Sequence, residues 1–148
     1  MAATFIKVFS LNKVPIENIE NEIMFQKIAS DYDFTPKILK AWKENENFFI
    51  EMEKIDAPCL AEKYGDDPDD IPVEYWNKMR EILQILWEVE GIEYVDITPY
   101  NFIEKDGKLF LIDFGHARWK SRNGEMNWFL KEFLDPNEAI QMYNPDFR

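Results

Sequence analysis

Three side chains in one short stretch have the types and spacing that phosphoryl transfer uses. The segment from Gly91 to Gly115 reads GIEYVDITPYNFIEKDGKLFLIDFG. Asp96 is followed by Asn101 at D-x-x-x-x-N spacing, and Asp113 stands directly before Phe114-Gly115. Moving a γ-phosphoryl group takes one carboxylate to hold the accepting hydroxyl. It also takes an amide and a second carboxylate to hold Mg²⁺ on the nucleotide. Between the two parts, Asp106-Gly107 flanked by alternating apolar residues is a hairpin signal. A lone D-F-G recurs by chance and is weak; both parts in order across one Gly-turned hairpin are a strong signal.

Several elements must position these groups. Thr4 to Phe9 (TFIKVF) alternates apolar residues and predicts a strand that carries Lys7. Ile16 to Ala29 predicts a helix, with Ile16, Ile19, Ile23, Phe25 and Ile28 near helical period and Pro15 at its start. Glu17, Glu20 and Glu22 crowd its first half, which suits the positive end of the helix dipole. A strand from Pro36 (PKILKAW), the polar turn Lys43 to Asn47, and a strand Asn47 to Glu53 predict an antiparallel hairpin. Ala57 to Tyr64 predicts a short helix, and the acidic run Gly65 to Asp70 a solvated loop without a calcium-loop pattern. Pro72 to Val89 is the clearest helix, with Trp76, Met79, Leu83, Leu86 and Trp87 on one stripe and Gly91 just past its end. That aromatic stripe reads as core. Two further short helices are expected over Met126 to Phe133 and Pro136 to Tyr143.

The D-x-x-x-x-N loop followed by D-F-G resembles the catalytic core of the protein-kinase-like superfamily. The resemblance covers roughly residues 4 to 118 and implies an α+β fold, a truncated kinase-like bilobal domain. Its reduced N-lobe, residues 1–53, would be a small antiparallel sheet plus one helix. A hinge and a reduced helical C-lobe, residues 54–148, would follow. The resemblance implies ATP and Mg²⁺ as cofactors. Lys7, in IKVF, would contact the α- and β-phosphates, and Glu22 would pair with it, with Glu20 open as the alternative. Met52, Glu53 and Lys54 would fall at the hinge that receives the adenine ring, with Phe49 or Ile50 near the back of that pocket. Asp96 would accept the hydroxyl proton or orient the acceptor, and Asn101 and Asp113 would hold Mg²⁺.

The chain departs from the common form of that family at several points. Tyr94 and Val95 stand where His and Arg usually precede the Asp, and Thr98 stands where eukaryotic Ser/Thr kinases place a Lys. Losing the Arg removes the usual docking point for a phosphorylated activation loop. D-I-T-P-Y-N looks closer to small atypical kinases, such as the RIO group and the kinase of the KEOPS tRNA-modification complex. No A-P-E follows Gly115, and the five glycines leave none for a phosphate-covering loop ahead of Lys7. Such trimmed kinases look like those that large DNA viruses carry. The expected function is Ser/Thr phosphotransfer from Mg-ATP, or ATP hydrolysis. The competing reading is a pseudokinase that serves as a protein-interaction module. A small-molecule phosphotransferase fits less well, because the D-F-G is intact and the C-terminal part is small.

Composition narrows the partners. The chain has 148 residues and a formal net charge of −12, a surface that repels phosphate backbones and anionic membranes. Direct nucleic-acid or membrane binding is therefore not expected; a protein substrate or regulatory protein is, and self-association through uncovered strand edges is a further expectation. One cysteine, Cys59, excludes an intrachain disulfide and points to a reducing, cytoplasmic compartment. The N-terminus shows no signal-peptide pattern. His116 is expected to be a surface or packing residue. Arg118, Lys120 and Arg122 are expected to balance nearby acids, the alternative being contact with a phosphorylated substrate.

Overall fold

The structure, a computed structural model, describes residues 3–147. It is α+β. Strands β1 (Thr4–Ser10), β2 (Ile38–Glu44) and β3 (Asn47–Glu53) form an antiparallel sheet in the order β1-β3-β2, with helix α1 (Ile16–Ser30) between β1 and β2 in sequence. Alternation in TFIKVF sets the register. Lys7 lies opposite Ile50 and Phe5 opposite Met52, so these four side chains share one face of the sheet. The β2–β3 turn uses Asn45 at φ 57, a left-handed position that asparagine tolerates. Ile50 and Met52 bury against Ile19 of α1, joined by Phe9, Val14 and Ile23, in a small core under the sheet.

A second, larger core is built on helix α3 (Val73–Ile85). Its stripe of Trp76, Met79 and Leu83 is buried, as the periodicity required. The α-helix stops at Ile85 and continues as one wider π-type turn, Leu86–Glu90, before Gly91 ends it at φ 69. A residue with a Cβ rarely takes that conformation, so the glycine is a helix stop. α2 (Leu60–Tyr64) packs beside this core, and α4 (Trp128–Leu134) adds Phe129, Leu130 and Phe133 to it. α1 contributes to both cores: Ile19 to the small one, Phe25 and Ala29 to the large one.

The site-bearing segment runs across the large core. β4 (Ile92–Glu93) is followed by an irregular loop, then the hairpin β5 (Phe102–Lys105) and β6 (Lys108–Leu111). Asp106 at φ 53 and Gly107 at φ 79 give both turn residues the positive φ of a tight hairpin turn. A two-residue strand, β7 (Arg118–Trp119), pairs antiparallel with β4, and no local residue pattern marks it. The expected helix over Pro136 to Tyr143 does not form. That stretch turns at Asp135 to Glu138 and passes through Ala139 at φ 47, which is incompatible with a right-handed helix. No described helix is long and apolar enough to cross a membrane.

Trp76 is fully buried, and its indole N–H has no hydrogen-bond partner among the described residues. The packing of the ring must therefore carry the whole contribution of this side chain. Trp76→Ala is expected to cost about 3–5 kcal/mol. Trp76→Phe should cost clearly less, because it also removes a buried donor whose desolvation costs about 1–3 kcal/mol. Urea unfolding of the three proteins checks this; equal losses in the two variants would show that the N–H is in fact used.

Candidate active site

Lys7 meets two carboxylates. Its ammonium lies 2.8 Å from Glu22 Oε2 and 3.5 Å from Asp113 Oδ1. β1 supplies the lysine, α1 the glutamate, and the chain after β6 the aspartate. Glu22 is on the buried face of α1, whereas Glu20 is exposed, so Glu22 is the partner and the alternative drops out. Burial pushes the Glu22 carboxyl above its ordinary value of 4.5, against the pull of Lys7; the Asp113 charge raises it further.

Asp113 stands at φ 63. Its Oδ1 accepts the Gly115 N–H at 3.1 Å, the local bond that lets an aspartate hold a left-handed backbone. Space at Gly115 is tight. A Cβ there would stand 3.1 Å from Glu22 Oε1 and 3.2 Å from Asp113 Oδ1, tighter than side chains normally tolerate. Phe114 turns inward and is buried edge-on against Tyr94, ring centroids 5.5 Å apart. Tyr94 in turn donates its hydroxyl to Ile112 O at 2.9 Å.

Asp96 sits in the loop between β4 and β5, and Asn101 closes that loop by donating from Nδ2 to the Asp96 carbonyl at 2.9 Å. The Ile112 N–H donates to Asn101 O at 2.9 Å, which ties the loop to the residue before Asp113. Burial raises the Asp96 carboxyl above 3.8; Asn101 and the charge of His116 oppose that, and Asp113 adds to it. His116 is exposed, as expected, yet its charge favours the ionised forms of both Glu22 and Asp96.

A cavity of about 350 Å³ opens beside this cluster, within the range of small-ligand sites. Lys7, Asp113, Met52, Glu53 and Lys54 line it, with Phe5 and Ile103 among the apolar lining; Glu22, Asp96 and Asn101 do not. The back of the pocket differs from expectation. Phe49 stacks on Trp42 at 5.1 Å, on the face of the sheet away from Ile50, and Ile50 is sealed in the small core. Neither lines the cavity; Gln26 and Pro36 do, with Gln26 Nε2 donating to Pro36 O at 2.9 Å. Among the described residues no cluster of three His, Cys, Asp or Glu side chains could cage a metal. Mg²⁺ is a hard cation that takes one or two carboxylates and completes its shell with water and phosphate oxygens, so the Asp113 carboxylate and the Asn101 amide oxygen fit it.

Two groups escaped sequence reading. Glu93 is buried, accepts from Arg118 Nε, and accepts the Asn127 N–H at 2.8 Å. Arg118 therefore balances an acid, the first of the two roles expected for the basic cluster, and Lys120 lies over the Trp87 ring at 4.3 Å. Asn144, the second, bonds the backbone around Asp96. The alternation at β4 marks Glu93 as nothing more than a strand residue, and no local pattern links position 144 to position 96.

No family model matches the chain. Over 119 residues it is 27% identical to the serine/threonine-protein kinase mph1 of Schizosaccharomyces pombe, which covers 76% of this chain and 17% of that protein. Over 120 residues it is 30% identical to the mouse dual specificity protein kinase TTK, covering 78% of this chain and 14% of that one. The chain thus spans about a sixth of the length of these curated relatives, and its similarity is to protein kinases. The likeness to RIO and KEOPS-type kinases rests on the loop D-I-T-P-Y-N alone.

Because Glu22 holds its proton more tightly when folded than when unfolded, its protonation stabilises the fold. That contribution is fully present below pH 4.5 and is lost as pH rises through the raised folded value. Glu22→Gln removes this dependence while keeping the shape. The variant should gain stability relative to wild type as pH rises from about 4 to 7, read from urea midpoints. A variant that instead loses ground toward neutral pH would mean that Lys7 outweighs burial.

Proposed function

We propose that this chain is a minimal protein-kinase-like phosphotransferase that binds Mg-ATP in the cleft between a reduced N-lobe and a reduced helical C-lobe. The single observation that carries the reading is the convergence of the Glu22 and Asp113 carboxylates on Lys7, with Lys7 and Asp113 lining the 350 Å³ cavity. An ammonium placed between two carboxylates is a site for an anion bridged by a cation, and a Mg-nucleotide polyphosphate has that charge pattern. The similarity to two protein kinases supports the same reading.

Lys7, fixed by Glu22, holds the α- and β-phosphates. The apolar slot lined by Phe5, Met52 and Ile103 takes the base, with Glu53 and Lys54 at its edge. Asn101 and Asp113 supply the oxygen donors for Mg²⁺, which when bound neutralises phosphate charge. Asp96 orients the acceptor hydroxyl and receives its proton, and its raised carboxyl suits a base better than an ordinary aspartate would. The acceptor is a Ser/Thr hydroxyl of a protein, or water. The acidic surface favours a basic peptide around that hydroxyl.

Calorimetric titration with ATP, with and without Mg²⁺, tests the site. Wild type should bind saturably in a Mg²⁺-dependent way, and Asp113→Asn should lose that binding. Asp96→Asn should keep the binding and lower turnover by at least about 10²-fold. Turnover should fall on the acid side as Asp96 protonates, at a pH above 3.8. Absence of binding at millimolar nucleotide would favour the pseudokinase reading, a protein-binding module. Unchanged turnover in Asp96→Asn would remove Asp96 from its role.

A further inference from the structure

The loop that carries Asp96 is held from behind by one residue far away in sequence. Asn144 is fully buried. Its Nδ2 donates to the Val95 carbonyl at 2.6 Å, and its own backbone N–H donates to the Ile97 carbonyl at 2.9 Å. These are the two carbonyls that flank Asp96. The Asn144 Oδ1 accepts the Asp146 N–H at 3.0 Å, which fixes the amide orientation. The loop itself is a tight turn, with the Ile97 N–H donating to Val95 O at 2.9 Å, and the Asp96 carbonyl is taken by Asn101. Every carbonyl from Val95 to Ile97 therefore has a donor; Asn144 supplies the one at Ile97 through its backbone N–H, and its side chain adds a second at Val95 beside the Ile97 N–H. An irregular buried loop needs this, because an unpaired buried carbonyl costs as much as a lost hydrogen bond.

We infer that Asn144 is a positioning residue for Asp96: it clamps the two peptide carbonyls beside the aspartate and so sets the direction of its carboxylate. The role given to Asp96 rests on the phosphotransfer reading above; the clamp does not. The segment after α4 follows from this as part of the working site. Tyr143, next to Asn144, is buried against the Trp76 ring at 5.2 Å, so the core of α3 anchors the clamp. A misplacement of the carboxylate by about 1 Å is enough to cost on the order of 10²-fold in rate.

Two variants separate the clamp from general packing. Asn144→Ala removes the amide. Asn144→Asp keeps the oxygen that accepts from Asp146 and replaces the donor facing Val95 with an acceptor. Amide hydrogen exchange is read first, because it needs no activity. Both variants should speed exchange at Ile97 and Asn101 by about tenfold or more while amides in α3 and the β1-β3-β2 sheet keep their protection. Exchange at Ile97 unchanged in either variant, or raised uniformly through α3 and the sheet, overturns the inference. Turnover is read second. With active wild type, both variants should lower kcat on the order of 10²-fold and leave the Mg-ATP Kd within about twofold; a kcat unchanged in either overturns the positioning role. A wild-type chain that transfers no phosphate counts against the phosphotransfer reading, and the exchange data still decide the clamp.

Discussion

The charge of the Lys7 ammonium against two carboxylates is the interaction on which the rest of the site depends. Glu22 is buried, and burying a carboxylate without a cation costs several kcal/mol. Glu22 and Lys7 therefore constrain each other, and through them α1 is held to the face of the sheet that carries Lys7. Asp113 approaches the same ammonium from the other core. Its left-handed backbone, the buried Phe114 and the close approach of Gly115 all serve to bring that second carboxylate to within 3.5 Å. An ammonium shared in this way binds neither carboxylate to exhaustion.

The loop around Asp96 is built on a different principle. It has no regular secondary structure, so its polar backbone must be satisfied piece by piece. Asn101 takes one carbonyl, Asn144 takes two, and Glu93 just upstream accepts from Arg118 and Asn127. The last pair holds both ends of the stretch from residue 118 to residue 127 against β4.

Much of the scaffold could be read from residue types. TFIKVF and NFFIEME alternate and pair in one sheet, the α3 stripe points Trp76, Met79 and Leu83 inward, and Asp106-Gly107 makes the tight hairpin. Pro136 to Tyr143 misled because Pro at a helix start is a local signal. Asn144 and Tyr143 are drawn into long-range contacts that no short helix would allow. Phe49 and Ile50 could not be placed from sequence, since a one-residue change in register exchanges the two faces of a strand. The types and spacing of Asp96, Asn101 and Asp113 stand out in the chain itself. Asn144 does not, because a single asparagine acquires meaning only through what folds over it. The edge strand β1, with Phe5, Ile6 and Val8 about half exposed, keeps open the expectation that another segment or chain pairs with it.

Phosphotransfer at this site requires Lys7 to face a nucleotide's phosphates. An acyl-phosphate derivative of ATP places a reactive carbonyl on the terminal phosphate and acylates an amine held beside the polyphosphate; mapping the acylated lysines by mass spectrometry reads this directly. Acylation should concentrate on Lys7 and be lost on addition of excess Mg-ATP and on Asp113→Asn. Acylation spread over the surface lysines, with Lys7 neither favoured nor protected by Mg-ATP, would contradict it.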